Sequence, residues 1–118
     1  MELLLQSGGI DFYDDTAATI PDAAAAAVAA MEKPAVLIAG GTDKELDFSP
    51  FAGISGIPKN IILLDGTAAV PMKSILEKSG RKDICVVRSM EQAVKTALQS
   101  AVPGDAVLLS PGTASSLA

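Results

Sequence analysis

The sequence predicts an α/β fold: a Rossmann-like, mostly parallel sheet with helices on both faces, led by an N-terminal antiparallel hairpin. Three observations predict it. Four uninterrupted apolar runs of strand length, Ala35-Val36-Leu37-Ile38-Ala39, Ile61-Ile62-Leu63-Leu64, Ile84-Cys85-Val86-Val87 and Ala106-Val107-Leu108-Leu109, have the pattern of strands covered on both faces. Segments that read as helices separate them, and strands joined by helical crossovers form parallel sheets. The chain has 118 residues, 49% of them hydrophobic, which is enough for one well-filled core and too little for two. Residues 1–118 are therefore expected to form a single domain.

Taken in order, residues 3–5 and 10–13 flank Ser7-Gly8-Gly9, the pattern of two strands joined by a tight turn. Thr19-Ile20-Pro21-Asp22 fits a helix start, with Thr19 as cap, Pro21 in the first turn and Asp22 favoured by the helix dipole. The alanine-rich helix that follows should run to about Met31, because alanine has the highest helix propensity. Ser49-Pro50 starts a short helix before Gly53, and residues 67–79 form another that ends at Gly80. The clearest helix spans residues 89–101. Ser89 and Gln92 form a capping box there, and Met90, Ala93, Val94, Ala97, Leu98 and Ala101 recur on one face before Pro103-Gly104 stops it.

Composition narrows the chemistry. The chain has no histidine and one cysteine, which removes Cys/His zinc sites and histidine-based triads or general bases. Cys85 lies inside an apolar run and is expected to be a buried, inert thiol. A net charge of -5 and 3% aromatic residues argue against nucleic acid, which needs a basic face or stacking platforms. No apolar stretch approaches the roughly 20 residues that span a bilayer, and Met1-Glu2-Leu3-Leu4-Leu5-Gln6 does not make a signal peptide, so a cytoplasmic chain is expected.

Chemistry is concentrated in three polar segments, each following a short apolar run: Asp14-Asp15-Thr16-Ala17-Ala18-Thr19, Gly40-Gly41-Thr42-Asp43-Lys44-Glu45-Leu46-Asp47-Phe48, and Ser110-Pro111-Gly112-Thr113-Ala114-Ser115-Ser116. In open α/β sheets, ligands bind beyond the carboxyl ends of the strands, and these segments fall there. Gly40-Gly41 lets backbone N–H groups approach a ligand while Lys44 brings one positive charge, so an anion is the natural guest. A plain turn carrying a solvated lysine is the other reading of the same residues. The hydroxyls of Ser110, Thr113, Ser115 and Ser116 can donate to a carboxylate or serve as helix caps. The lysine loop is not an ATP-phosphate cradle, because Asp43 and Glu45 occupy the places where G-x-x-x-x-G-K-[ST] needs glycine and a hydroxyl. No strand is followed by G-x-G-x-x-G, which argues against a dinucleotide.

In order and spacing these segments resemble the carboxy-terminal domain of the Mur ligases that add glutamate to the peptidoglycan precursor. Asp47-Phe48-Ser49-Pro50 and Leu108-Leu109-Ser110-Pro111 are the more specific pieces. The resemblance implies the glutamate-binding domain of an ATP-dependent amide ligase, with the N-terminal and central ATP-binding domains lying outside this chain. It implies that Lys44, Ser115 and Thr19 hold D-glutamate and that Asp15 faces the nucleotide. ATP and Mg2+ would be held mainly by the central domain, and UDP-N-acetylmuramoyl-L-alanine by the other domains. No metal ligand and no catalytic base is assigned to this chain, and a monomer is expected. The family usually reads Asn-Asp-Ser-Lys-Ala-Thr-Asn at the first segment, whereas Ala17 and Ile20 replace the lysine and the second asparagine here. The missing lysine removes a charge-assisted contact worth roughly 1.5 to 3 kcal/mol and bears on the choice between D- and L-glutamate. Both ends of the chain resemble cuts in a longer protein, the second just before an aromatic-containing helix that closes one wall of the family's pocket. Two rival readings remain at this point. One is a sister ligase that adds another amino acid or extends folate, although the Asn-Pro-Arg motif of the diaminopimelate-adding enzymes is missing. The other is a stand-alone Rossmann-like binding module without catalysis.

Overall fold

A computed structural model describes residues 2–14, 21–40, 48–66 and 69–109. Six strands form one sheet in the order β1-β2-β6-β3-β4-β5. They are β1 (Glu2–Ser7), β2 (Ile10–Asp14), β3 (Ala35–Gly40), β4 (Asn60–Leu64), β5 (Ile84–Val87) and β6 (Ala106–Leu109). The five strands from β2 to β5 in that order pair in parallel, and β1 pairs antiparallel with β2 across the turn at Gly8-Gly9.

Alternation along the strands sorts the apolar residues onto two faces. Leu37, Ala39, Ile61, Leu63 and Leu108 lie under α1 (Pro21–Ala29), a 3-10 helix (Ser49–Ile54) and α2 (Ala69–Lys78). Val36, Ile38, Ile62, Leu64 and Val107 lie under α3 (Met90–Ser100). Helices thus cover both faces. The chain steps from β2 to β3, β4 and β5 over the first face, then returns from β5 to β6 over the second. Reversing face and direction together gives all four crossovers one hand, as the right-handed rule for parallel strands requires.

Local chemistry sets the helix ends. Gly80, at φ 100, ends α2 with the paired bonds of a Schellman cap, Gly80 N–H to Glu77 O at 3.0 Å and Arg81 N–H to Leu76 O at 2.9 Å. Ser89 caps α3 by accepting from the Gln92 N–H at 3.1 Å. The Gln92 side chain in turn accepts from Arg88 N–H, one residue earlier than a standard capping box. Helix α1 stops at Ala29, before the expected Met31, with a closing turn from Met31 N–H to Val28 O. The expected cap at Thr19 and the start of α2 at residues 67–68 lie outside the described residues.

Two expectations are corrected. Cys85 is exposed, not buried, and Val86 beside it is 43% exposed. The apolar run 84–87 is the outer strand of the sheet, and α3 packs chiefly over β4 rather than over β5. On α3 itself, Ala93, Ala97 and Ala101 are buried but Leu98 is 46% exposed. Three alanines let the helix approach the sheet closely, which narrows the contacting stripe and leaves Leu98 outside it.

Candidate functional site at the carboxyl edge of the sheet

The five parallel strands β2, β3, β4, β5 and β6 end at one edge of the sheet, its carboxyl edge. The registers fix how close their ends are. Asp14, the last residue of β2, pairs with Leu109, the last of β6, and Leu109 in turn pairs with Ile38 of β3. Gly40, two residues further, pairs with Leu64 at the end of β4. With strands about 4.8 Å apart, the ends of β2 and β3 stand roughly 10 Å from one another with β6 between them. The three polar segments of the sequence therefore follow three adjacent parallel strands, an arrangement that no local pattern in the sequence dictates.

The side chains assigned from the sequence fall just past these ends. Asp15 and Thr19 lie in residues 15–20, Lys44 in residues 41–47 and Ser115 in residues 110–118, all outside the described residues. What the structure brings together is the set of strand ends from which they follow. The lysine segment is anchored on both sides: Gly40 is buried at the end of β3, and Phe48 is buried against Phe51, their ring centroids 6.4 Å apart.

Sequence reasoning took Gly40 as a flexible residue, and the structure shows a stricter role. Its φ is +124, and a Cβ placed on it would fall 2.7 Å from the Leu64 carbonyl oxygen and 2.8 Å from the Leu64 nitrogen. Only glycine fits, both for its dihedral and for the neighbouring backbone. A glycine closing an apolar strand run was the available signal.

The amino edge of the sheet has a different chemistry. Asp11 at the start of β2 is buried and accepts from Gln6 Nε2 at 2.6 Å and from Lys33 Nζ. Asp105, leading into β6, is buried and accepts from Lys59 Nζ at 2.6 Å and from Val102 N–H at 2.9 Å. Arg81 donates to the carbonyl oxygens of Ser55, Pro58 and Lys59, which ties the lead into β4 to the lead into β5. Its Nε lies 2.7 Å from Asp83 Oδ1 but off the N–H direction, so that contact is electrostatic rather than a directed hydrogen bond. A shallow cavity of about 220 Å³ lies beside the Asp11–Lys33 pair, lined by Tyr13, Ala30, Met31, Glu32 and Lys33. Asp11, Asp105 and Arg81 are internally paired and hold strand leads together.

The amino-edge pairs carry a pH dependence. The ammonium of Lys33 and the amide of Gln6 hold the Asp11 carboxyl below its ordinary range, and Lys59 with the Val102 amide does the same for Asp105. Asp11 in turn raises Lys33. Depressed carboxylates stabilise the fold above their unfolded pKa, near 3.9, and that contribution is lost as pH falls through the folded values. The Lys33 contribution is present below about 10.4 and lost as pH rises through its raised value. Both lysines are partly exposed, which screens the pairs. The urea midpoint should therefore fall as pH drops from about 4 toward 2, and Asp105→Asn should lower it at neutral pH while flattening that acid limb. An unchanged acid limb in Asp105→Asn would remove this pair from the account.

Among the described residues no three His, Cys, Asp or Glu side chains cluster in a way that could hold a metal ion. None of their helices is long and apolar enough to cross a membrane.

The fold and the edge together define a class: a mostly parallel α/β domain in which three neighbouring strands end side by side at the carboxyl edge, the edge at which such sheets bind ligands. The profile of the family described as "Mur ligase, glutamate ligase domain" matches residues 1–113, and the chain belongs to that family. Its relatives include UDP-N-acetylmuramoylalanine--D-glutamate ligases. That of Roseiflexus sp. (strain RS-1) is 44% identical over 118 residues, covering 98% of this chain and 25% of the relative. That of Lachnospira eligens is 37% identical over 115 residues, covering 98% and 26%. The chain thus spans about a quarter of the length of the curated relatives it matches. Among solved structures, a Haemophilus ducreyi domain superposes with a TM-score of 0.69 at 16% identity, covering 94% of this chain and 86% of that one. It is described as coming from a UDP-N-acetylmuramate:L-alanyl-gamma-D-glutamyl-medo-diaminopimelate ligase. At that identity the likeness concerns the fold.

Proposed function

We propose that this chain is the carboxy-terminal, amino-acid-binding domain of an ATP-dependent ligase that adds D-glutamate to UDP-N-acetylmuramoyl-L-alanine in peptidoglycan synthesis. The observation that carries the reading is the adjacency of β2, β6 and β3, three neighbouring parallel strands from whose ends the three polar segments follow. The names of the relatives supply the substrate class. In this reading Lys44 pairs with a glutamate carboxylate, Ser115 and Thr19 donate hydroxyl hydrogen bonds to the same amino acid, and Asp15 faces the nucleotide.

The alanine carboxylate of the precursor takes the γ-phosphoryl group of ATP, releasing ADP. The glutamate nitrogen then attacks the acyl carbon, the new C–N bond forms, phosphate leaves with its bonding electrons, and the nitrogen loses a proton. This domain's share is orientation and charge neutralisation, because holding a nucleophile in place removes much of the entropic barrier. In this reading the metal and the ATP phosphates belong mainly to the central domain. The enzyme would work as a monomer in the cytoplasm.

The test uses the intact ligase that carries this domain, with UDP-N-acetylmuramoyl-L-alanine, ATP and magnesium. Phosphate release is expected only on adding D-glutamate. Turnover with another amino acid and none with D-glutamate would make it a sister ligase, and no turnover with any amino acid would leave a binding module.

A further inference from the structure

The bend that follows β4 holds two neighbouring residues that can react with each other. Asp65 precedes Gly66, the one place in the chain where an aspartate or asparagine is followed by glycine. Both residues are exposed. Asp65 N–H donates to the Val87 carbonyl at 2.6 Å, and the Gly66 carbonyl accepts from Ala69 N–H at 3.2 Å, at the start of α2. These two bonds fix the outer ends of the bend. Between them, the Asp65 carboxyl and the Gly66 N–H have no hydrogen-bond partner among the described residues. An aspartate side chain is short enough to reach the backbone beside it, and a glycine, having no Cβ, leaves its nitrogen open to approach.

Other described aspartates lack one of these conditions. Asp11 and Asp105 are buried and held by Lys33 and Lys59. Asp83 has a side chain 66% exposed, but Ile84 follows it, and branching at Cβ crowds the nitrogen.

We propose that Asp65-Gly66 is a self-modification site, at which the folded chain closes a succinimide and reopens it as isoaspartate. The Gly66 nitrogen attacks the Asp65 Cγ. A new C–N bond forms, and a carboxyl oxygen leaves as water, taking the amide hydrogen and, from an ionised carboxyl, a further proton from solvent. Water then adds to either ring carbonyl. Breaking the Cγ–N bond restores aspartate, whereas breaking the original peptide bond leaves the chain running through Cβ and Cγ with the α-carboxylate free. One water leaves and one enters, nothing is oxidised or reduced, and the mass is unchanged. The product lengthens the backbone by one methylene between the Val87 and Ala69 anchors. The chemistry belongs to the bend and stands apart from the ligase reading.

The test incubates the 118-residue chain at neutral pH, folded and in parallel unfolded in guanidinium chloride, before digestion with trypsin. The peptide 60–73 has Asp65 as its one aspartate, so isoaspartate there is a second peak of equal mass that an isoaspartate methyltransferase labels. That peak should grow in the folded chain at a rate within a few-fold of the unfolded chain, while peptides carrying Asp83 stay unlabelled. Asp65→Asn should speed the growth, because ammonia is then the leaving group, and Asp65→Glu should abolish it, because the longer side chain closes a less favoured ring. A peak that forms an order of magnitude more slowly in the folded chain would overturn the proposal, since the fold would then protect the bend. So would equal labelling at Asp83, or a peak that persists in Asp65→Glu. If neither variant folds, the folded and unfolded forms of the unaltered chain decide.

Discussion

Replacing Phe51 with alanine is expected to cost about 3 to 5 kcal/mol of unfolding free energy, the range for removing a fully buried Phe from a core. Phe51 is 1% exposed and sits among Leu37, Ala39, Ile61, Leu63, Met72 and Leu76 on the first face of the sheet. The core cluster to which it belongs includes alanines of α1 and β3, too short to fill the void, so the upper half of the range applies. The tilted contact with Phe48, 6.4 Å between centroids at 42°, is lost as well. Against a typical domain stability of about 5 to 15 kcal/mol, this is a large fraction of the total. Urea unfolding of the 118-residue chain measures it. Val70→Ala, at a side chain 74% exposed, should stay within about 0.5 kcal/mol. A Phe51→Ala loss below about 1.5 kcal/mol would mean that the 3-10 helix is not part of the core, since so small a value matches only collapsible or exposed sites.

The Phe51 result bears on function because the 3-10 helix is where the lysine segment ends. Kinetic variants at this corner of the domain therefore need a melting curve beside them.

How much of this was legible in the sequence depends on whether the determinant was local. The runs at 35–39, 61–64 and 106–109 are strands buried on both faces because nothing polar interrupts them. The run at 84–87 has the same pattern, yet Cys85 and Val86 meet solvent. An apolar run reports strand length and hydrophobicity, but its rank in the sheet is decided by crossovers elsewhere in the chain. The insertion of β6 between β2 and β3 is non-local in the same way, and it is what sets the three strand ends preceding the polar segments side by side. The helix over 90–100 was legible from its period and its Ser89 cap. The exposure of Leu98 was not, because it follows from how closely Ala93 and Ala97 let the helix approach. The ion pairs of Asp11 and Asp105 had no signature at all, since each joins residues 22 and 46 positions apart. The Gly-, Thr- and Ser-rich segments follow apolar runs that end at one edge of the sheet, and that much was local in the sequence. The dihedral at Gly40 was invisible, because its cause is the Leu64 backbone on the next strand.

Lys44→Ala in the intact ligase should raise the KM for D-glutamate at least about tenfold. A hydrogen bond to a charged group is worth roughly 1.5 to 3 kcal/mol, and about 1.4 kcal/mol is a factor of ten. The KM for ATP should stay near normal, because the reading assigns the phosphates to another domain. Three further features separate this role from a general loss of integrity. The melting temperature should not move if Lys44 acts on the substrate rather than on the fold, since its flanking residues Gly40 and Phe48 are untouched. Rising salt should weaken glutamate binding in the unaltered enzyme more than in the variant, because screening acts on the charge that the variant lacks. If the contact is made equally in ground and transition states, kcat should hold while KM rises, whereas a parallel fall in kcat would place it in the transition state as well. Glutamate kinetics left unchanged by Lys44→Ala would remove the lysine from the pocket. The anion would then have to be held at the same edge by hydroxyls and backbone N–H groups alone, and the salt dependence would vanish with the charge.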